Sequence, residues 1–405
     1  MPAMARPLPT SPIPRHFGLD WLRIAAFAIL IAYHVGMVFV PWGFHAKSPH
    51  GADWAVLPML AVNAWRLSLL FVVSGYASRA LLGRATGVGG FLGQRTMRLL
   101  VPLAFGVAVL VPPQSFVELV TQHGYRASFA TFWLHDYFRF GKLAGIGLPA
   151  LNHLWFVLYL WLYTVVLAAL VGVASVTAAG PAHGALVRAG TMQHLFERVF
   201  AGPLVLLVPT AWLIGVHAWW FPMGYETHDP AHDLMAHLIY LPAFLFGFAL
   251  AGAPRVLAAC VRYRWPAGIA AILGYGVIVG IELSSDAAEP PRWLYPTYGA
   301  AHAIQQWGAI VALIGHAERR WNRDHRWRPL LTEAVFPFYL VHQTIIVVVA
   351  YWLIPAGLAG GAEFAILVAA TVLGSLAFYL IGRKVEPLRP LIGLRRLSQH
   401  KVPAS

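Results

Sequence analysis

Five ionisable side chains, set in or beside apolar runs, carry the chemistry open to this sequence. Arg23 and His34 stand 11 positions apart in "LDWLRIAAFAILIAYHVGMVF", a run that otherwise reads as a lipid-spanning helix. At about 100° per residue they return to within about 20° of one face, about 16 Å apart along the axis. Ionisable groups at such depths are costly and usually functional. His342, in "FPFYLVHQTII", lies 11 residues into a run that enters from the same side, so it reaches the level of His34. Two imidazoles at one depth suggest a shared cavity, where a neutral ring takes a proton from a hydroxyl and returns it as a general base. "FLGQRTMRLLVP" then places Arg95 and Arg98 three apart at a helix start. Arginine pairs grip phosphates in bidentate fashion, and a helix N-terminus adds backbone donors.

Each feature also has a plainer reading. Arg23 can snorkel to headgroups, His34 can hydrogen-bond a neighbouring helix, and the arginine pair can be an ordinary positively charged flank. Ser74 and Gly75 in "FVVSGY" suit close helix packing or let a donor approach the backbone. His153, Trp155 and Tyr159 in "NHLWFVLYLWLY" suit an aromatic anchor or the outer wall of a pocket. Asp20, three residues before Arg23, can hold its guanidinium within the helix.

The elements that must position these groups follow from composition. Of 405 residues 59% are hydrophobic and 11% charged, and the mean hydropathy is +0.64. Apolar runs of about 18 residues or more recur along the chain, as helices crossing a bilayer require. The fold class is therefore all-α, a polytopic membrane bundle of about ten helices. The spans run Gly18 to Val40, Pro58 to Leu81, Leu99 to Phe116, Leu151 to Val173, Phe200 to Phe221, Leu234 to Ala253, Trp265 to Leu283, Tyr298 to His316, Leu331 to Ile354 and Glu363 to Gly382. Pro102, Pro112 and Pro113 interrupt the third.

With the N-terminus inside, the outer loops hold only Lys47, Arg126, Arg139, Lys142 and Arg292, and most other Lys and Arg fall on the cytoplasmic side. That asymmetry sets the orientation and accounts for the net charge of +13 without nucleic acid. Residues 1–17 and 383–405 are expected to be cytoplasmic tails around one membrane domain, 18–382. The outer stretches "MGYETHDPAHD" and "SSDAAEPPRW" carry acids, histidines and tryptophans, and "FATFWLHDYFRF" reads as a short surface helix. Cys260 is the only cysteine, so no internal disulfide or cysteine metal cluster forms, and no metal site is expected. No Walker lysine, zinc-helix or Gly-x-Ser-x-Gly pattern surrounds these residues.

"LDWLRIAAFAILIAYH", "FVVSGY", "RTMR", "HLWFVLYL" and "FPFYLVHQ", in this order, resemble the acyltransferase-3 family of bacterial membrane acyltransferases, which includes proteins that decorate periplasmic glucans and surface polysaccharides. The resemblance covers most of the chain. It implies an acyl-CoA donor, with acetyl as the default group, bound from the cytoplasm as a co-substrate, with no tightly bound cofactor. It also implies a carbohydrate acceptor reached from the periplasm, and residence in the bacterial inner membrane. Arg23 and His34 match the family's essential arginine and histidine, and Arg95 and Arg98 its arginine pair. His153 and His342 correspond to further pocket positions. On this reading Arg95 and Arg98, with Ser74 beside them, hold the donor, and the pantetheine arm rises between helices past Arg23 to His34. A proton-coupled transporter or flippase is the competing reading, and it would use the same groups for coupling. A non-catalytic assembly subunit would leave them without a role. Oligomeric state is left open.

Overall fold

The computed structural model describes residues 16–176, 183–220, 227, 229–284 and 292–397. Most of the expected N-terminal tail, the end of the C-terminal one and parts of the two outer acidic stretches lie outside these residues. The helices run α1 (Phe17–Gly36), α2 (Val56–Leu82), α3 (Gly87–Phe105), α4 (Pro112–Gln122), α5 (Phe129–Thr131), α6 (Trp155–Val176), α7 (His183–Phe200), α8 (Leu204–Trp220), α9 (Leu234–Leu250), α10 (Pro254–Ser284), α11 (Tyr295–His316), α12 (Arg328–Leu353), α13 (Gly360–Lys384) and α14 (Leu388–Leu391). Among the described residues one hairpin, β1 (Gly141–Leu143) paired antiparallel with β2 (Ile146–Leu148), interrupts them.

The chain is an all-α, multi-pass membrane protein, and a helix occupies each of the ten expected stretches. By length and apolarity seven of them qualify as spans, or eight when the pair Thr191–Phe200 and Leu204–Ala218, bent by 90°, is taken together. The shortfall from ten has local causes. α9 has only 17 residues. α11 carries buried Gln305 and Gln306, polar groups it can hold because protein rather than lipid surrounds it. α10 and α13, by contrast, leave Ile272, Leu273, Val372 and Leu373 exposed, as lipid-facing helices do.

Two boundaries differ from expectation. The first span ends at Gly36 rather than Val40, because Lys47 folds the following segment back. Its ammonium donates to the carbonyls of Met37 at 2.7 Å, Trp42 at 3.0 Å and Val40, and burial pushes its pKa below the usual lysine value. The third stretch is a bent helix over 87–122, with a wide turn at Gly106–Leu110 between α3 and α4. Pro112 and Pro113 lack the donors that a straight helix would need there. "FATFWLHDYFRF" does form a short helical segment, α5 and the turn Phe132–Asp136, capped by Ser128, whose hydroxyl accepts from Thr131 N–H at 3.1 Å. Beyond α13, residues 388–394 pack back on the bundle and bury Arg389, Ile392 and Leu394.

The core holds α1, α2, α6, α9 and α12 around stacked rings. Phe71 lies 4.6 Å from Phe156 and 4.9 Å from Tyr240, centroid to centroid. α2 and α9 approach until backbones touch: a Cβ on Gly75 would overlap the Phe244 carbonyl, and one on Gly247 the Val72 carbonyl. Glycine at "FVVSGY" is thus fixed by packing, the closer of the two sequence readings.

At one end of the bundle α1 is clamped to the segment before α12. Phe17 N–H donates to Asn322 at 2.8 Å, His16 meets Glu318 at 2.8 Å, and the Asp20 carboxylate accepts from Arg328 at 2.8 Å. Asp324 holds the same guanidinium at 2.6 Å. This face, where α1 and α12 begin, also carries Arg23, Arg95 and Arg98 and is called here the basic face.

Replacing Gly75 or Gly247 by valine should push α2 and α9 apart and destabilise the bundle by about 1–3 kcal/mol or more. Thermal melting of the detergent-purified protein is the check, and an unchanged midpoint would contradict the packing described.

Candidate active site

α1 and α12 run side by side from the basic face, and their register follows from one count. Asp20 to His34 and Arg328 to His342 are both 14 residues, or about 21 Å of helix. The salt bridge at the base therefore sets the two histidines level, and they meet: His34 Nδ1 lies 2.8 Å from His342 Nε2. The depth match expected from sequence is the geometry found.

The direction of that bond can be deduced. His342 Nδ1 sits 2.6 Å from the Tyr339 carbonyl oxygen, which only accepts. His342 therefore carries its proton on Nδ1, and in the neutral ring Nε2 is an acceptor. His34 must then donate from Nδ1, which leaves the lone pair of its neutral ring on Nε2. His342 is fully buried, whereas His34 is only partly so. A buried imidazole thus orients a partly exposed one, whose Nε2 keeps its lone pair.

His153 completes the group. Its ring stands edge-on to His342 at 5.1 Å, its Nε2 donates to the Leu340 carbonyl at 3.2 Å, and its own carbonyl accepts from the Tyr339 hydroxyl. Tyr339 thereby fixes both histidines. Trp155 and Tyr159, two and six residues further along the chain, face elsewhere: Tyr159 bonds Asp233 at 3.0 Å and stacks on His237, and Trp155 packs on Tyr159 and Tyr240.

The arginines gather at the basic face. Arg95 is buried, donates to Thr164 at 3.3 Å, and lies within the fields of Arg98 and Arg23. Arg98 feels Arg23, Arg395 and one acid, Glu333, which is also bound by Arg383 and Tyr379, each at 2.9 Å. Positive charge exceeds negative here, so an anion would be drawn to this mouth. Arg389, donating to the carbonyls of Arg383 and Arg395, holds the C-terminal segment against it. Ser74 does not join this cluster. Among the described residues no hydrogen bond or ion pair links it to the arginines, and its carbonyl accepts from Ser78. Asp20, expected beside Arg23, reaches across to Arg328 instead and serves as the register brace.

Two groups near the histidines were not singled out from sequence. Arg66, 7% exposed, lays its guanidinium 3.6 Å above the Tyr33 ring and donates to Asn63, and its charge is felt at His34. An arginine within "NAWRLSLLFVV" is the same signal that marked Arg23. On the other side His45, Glu118, Gln114, Gln343 and Asn152 form one hydrogen-bonded network. Of these only Gln343, next to His342, carried a local hint.

The helices thus form a multi-pass bundle with an oriented intramembrane histidine pair over a cluster of arginines. A sequence model described as an acyltransferase domain matches residues 16–380, and the chain belongs to that family, acyltransferase-3. The chain is similar to glucans biosynthesis protein C of Escherichia coli K12, 26% identical over 156 residues, 38% of this chain and 39% of that protein. It is likewise similar to the proteins of that name from Salmonella paratyphi B and Salmonella heidelberg, each 28% identical over 155 residues, 38% of either chain. The matched stretch thus spans about two fifths of the length of these relatives. No solved structure matches.

His342→Ala should lower turnover about a hundredfold, because His34 loses the acceptor that fixes its tautomer. His342→Gln, whose amide oxygen can accept the same proton, should recover part of it. Steady-state rates of purified variants check this; equal rates for alanine and glutamine would contradict the orienting role.

Proposed function

We propose that the protein is a bacterial inner-membrane O-acyltransferase that moves an acyl group, acetyl in the simplest case, from cytosolic acyl-CoA to a hydroxyl of a periplasmic or cell-surface carbohydrate. The observation that carries this is the one-way hydrogen-bond chain from His34 through His342 to the Tyr339 carbonyl, which leaves His34 Nε2 as a base. The relatives' name, which refers to glucan biosynthesis, supports a glucan as the acceptor.

Arg95 and Arg98 bind the nucleotide phosphates of CoA at the basic face, and Arg23, between that mouth and His34, lies along the course of the pantetheine arm. In direct transfer, His34 Nε2 takes the acceptor hydroxyl proton as the oxygen attacks the thioester carbonyl carbon. The C–S bond then breaks, and the departing thiolate takes that proton from His34. Alternatively His34 Nε2 attacks the thioester carbonyl carbon first, the C–S bond breaks to release the CoA thiolate, and the acceptor oxygen then displaces the acyl group from His34 while the hydroxyl proton goes to that thiolate. In both, an imidazole inside the bundle lets donor and acceptor react from opposite faces of one membrane.

Incubating the purified protein with radiolabelled acetyl-CoA and gluco-oligosaccharides should yield labelled glycan and free CoA. His34→Ala should insert and fold normally yet lose transfer by about a hundredfold or more. Solute uptake without CoA release would instead establish the transport reading. Arg95→Ala should raise the KM for acyl-CoA more than it lowers kcat, and an unchanged donor KM would remove that arginine from the donor site.

A further inference from the structure

The network beside the histidines contains a feature that base and donor chemistry leave unused. Past α1 the chain turns so that Phe44 lies nearly parallel to the His34 ring, centroids 6.5 Å apart, and His45 follows at 5.3 Å from Phe44. Gln122 holds this turn by donating to the Phe44 carbonyl at 2.7 Å. His45 Nδ1 then meets Glu118 Oε2 at 2.5 Å.

The remaining hydrogen bonds run in a single direction. His45 donates from Nδ1 to the carboxylate, so its Nε2 accepts from Gln343 Nε2 at 3.1 Å. The other proton of that amide goes to Gln114 Oε1 at 3.1 Å, which also accepts from Asn152 at 3.0 Å. Gln114 in turn donates to Thr344 at 2.8 Å. No member can flip without breaking a neighbour, so the network is rigid.

Two oxygens remain after this accounting. Among the described residues Glu118 Oε1 and Gln343 Oε1 accept no hydrogen bond, and neither is a buried unsatisfied atom, so both are open to solvent. Gln343 is otherwise only 4% exposed, which makes that opening local. The side chains of His45 and Glu118 are 16% and 23% exposed. They sit at the end of α1 away from the basic face, one aromatic ring from the proposed base.

We propose that Phe44, His45, Glu118 and Gln343 form the acceptor subsite, which takes one pyranose unit of the carbohydrate. Its hydroxyls donate to Glu118 Oε1 and Gln343 Oε1, and its apolar C–H face lies on the Phe44 ring. Fixed acceptor oxygens beside an aromatic face match a sugar, which presents hydroxyl donors around its edge and C–H groups on its faces. The donor end carries an excess of guanidinium and attracts anions; this end offers a carboxylate and favours neutral polyols over phosphorylated ones. Binding here holds a hydroxyl near His34 without placing any of the four groups in the chemical step. The proposal rests on the carbohydrate-acceptor reading given above.

The test is steady-state kinetics of the full-length protein with acetyl-CoA and a gluco-oligosaccharide, comparing wild type with Glu118→Gln, Phe44→Leu and Phe44→Tyr. Losing a charge-assisted hydrogen bond or the stacking face should raise the acceptor KM about tenfold. The KM for acetyl-CoA should move less than about twofold, and Phe44→Tyr should stay near wild type. An unchanged acceptor KM in both Glu118→Gln and Phe44→Leu, or a donor KM rising in parallel, overturns the subsite. If wild type acylates the glycan while those variants are indistinguishable from it, the subsite alone fails. If wild type releases CoA and acylates no saccharide, the carbohydrate reading fails and the subsite with it.

Discussion

The arrangement depends on a hydrogen bond between two imidazoles, His34 Nδ1 to His342 Nε2, and on the helix register that permits it. Among the described residues no carboxylate takes part. In most catalytic histidine pairs an acid fixes the tautomer and stabilises the imidazolium. Here a backbone carbonyl on α12 fixes His342, and His342 fixes His34. A neutral relay suits an intramembrane site, where a buried carboxylate would bring its own desolvation cost. It also lets the transient positive charge be shared between two rings.

The register is set about 21 Å away. Asp20 and Arg328 tie α1 and α12 together at the basic face, and equal counts of residues carry each helix up to its histidine. Additional contacts to His16, Phe17 and Asp324 make the tie a clamp rather than a single ion pair. The helices thus transmit a fixed position from a polar, solvated end to a buried one. The same clamp brings the α1 arginine, Arg23, toward Arg95 and Arg98. One constraint therefore organises both ends of the site.

The sequence made part of this legible. Arg23, His34 and His342 were readable because lipid makes ionisable residues conspicuous, and helix geometry converts spacing into depth. The ten helical stretches were readable from apolar length, and the third was recognisably interrupted by its prolines. What escaped depends on contacts between residues far apart in the chain. Nothing near Asp20 shows that its partner lies 308 positions away. The turn that brings Phe44 and His45 beside His34 is made by a lysine bonding backbone carbonyls, a pattern with no sequence signature. Glu118 lies two residues past the Phe116 end of the third span, and Arg66 stands eight positions before Ser74. Beside Ser74, the glycine of the same motif, Gly75, is held by helix packing.

The central claim concerns the placement of protons on two rings, which nitrogen NMR reads directly. In protein labelled with 15N at histidine, His34 should show a protonated Nδ1 and an unprotonated Nε2, with the Nδ1 signal coupled to His342 and altered by His342→Ala. A His34 ring protonated at Nε2, or insensitive to that substitution, would contradict the account.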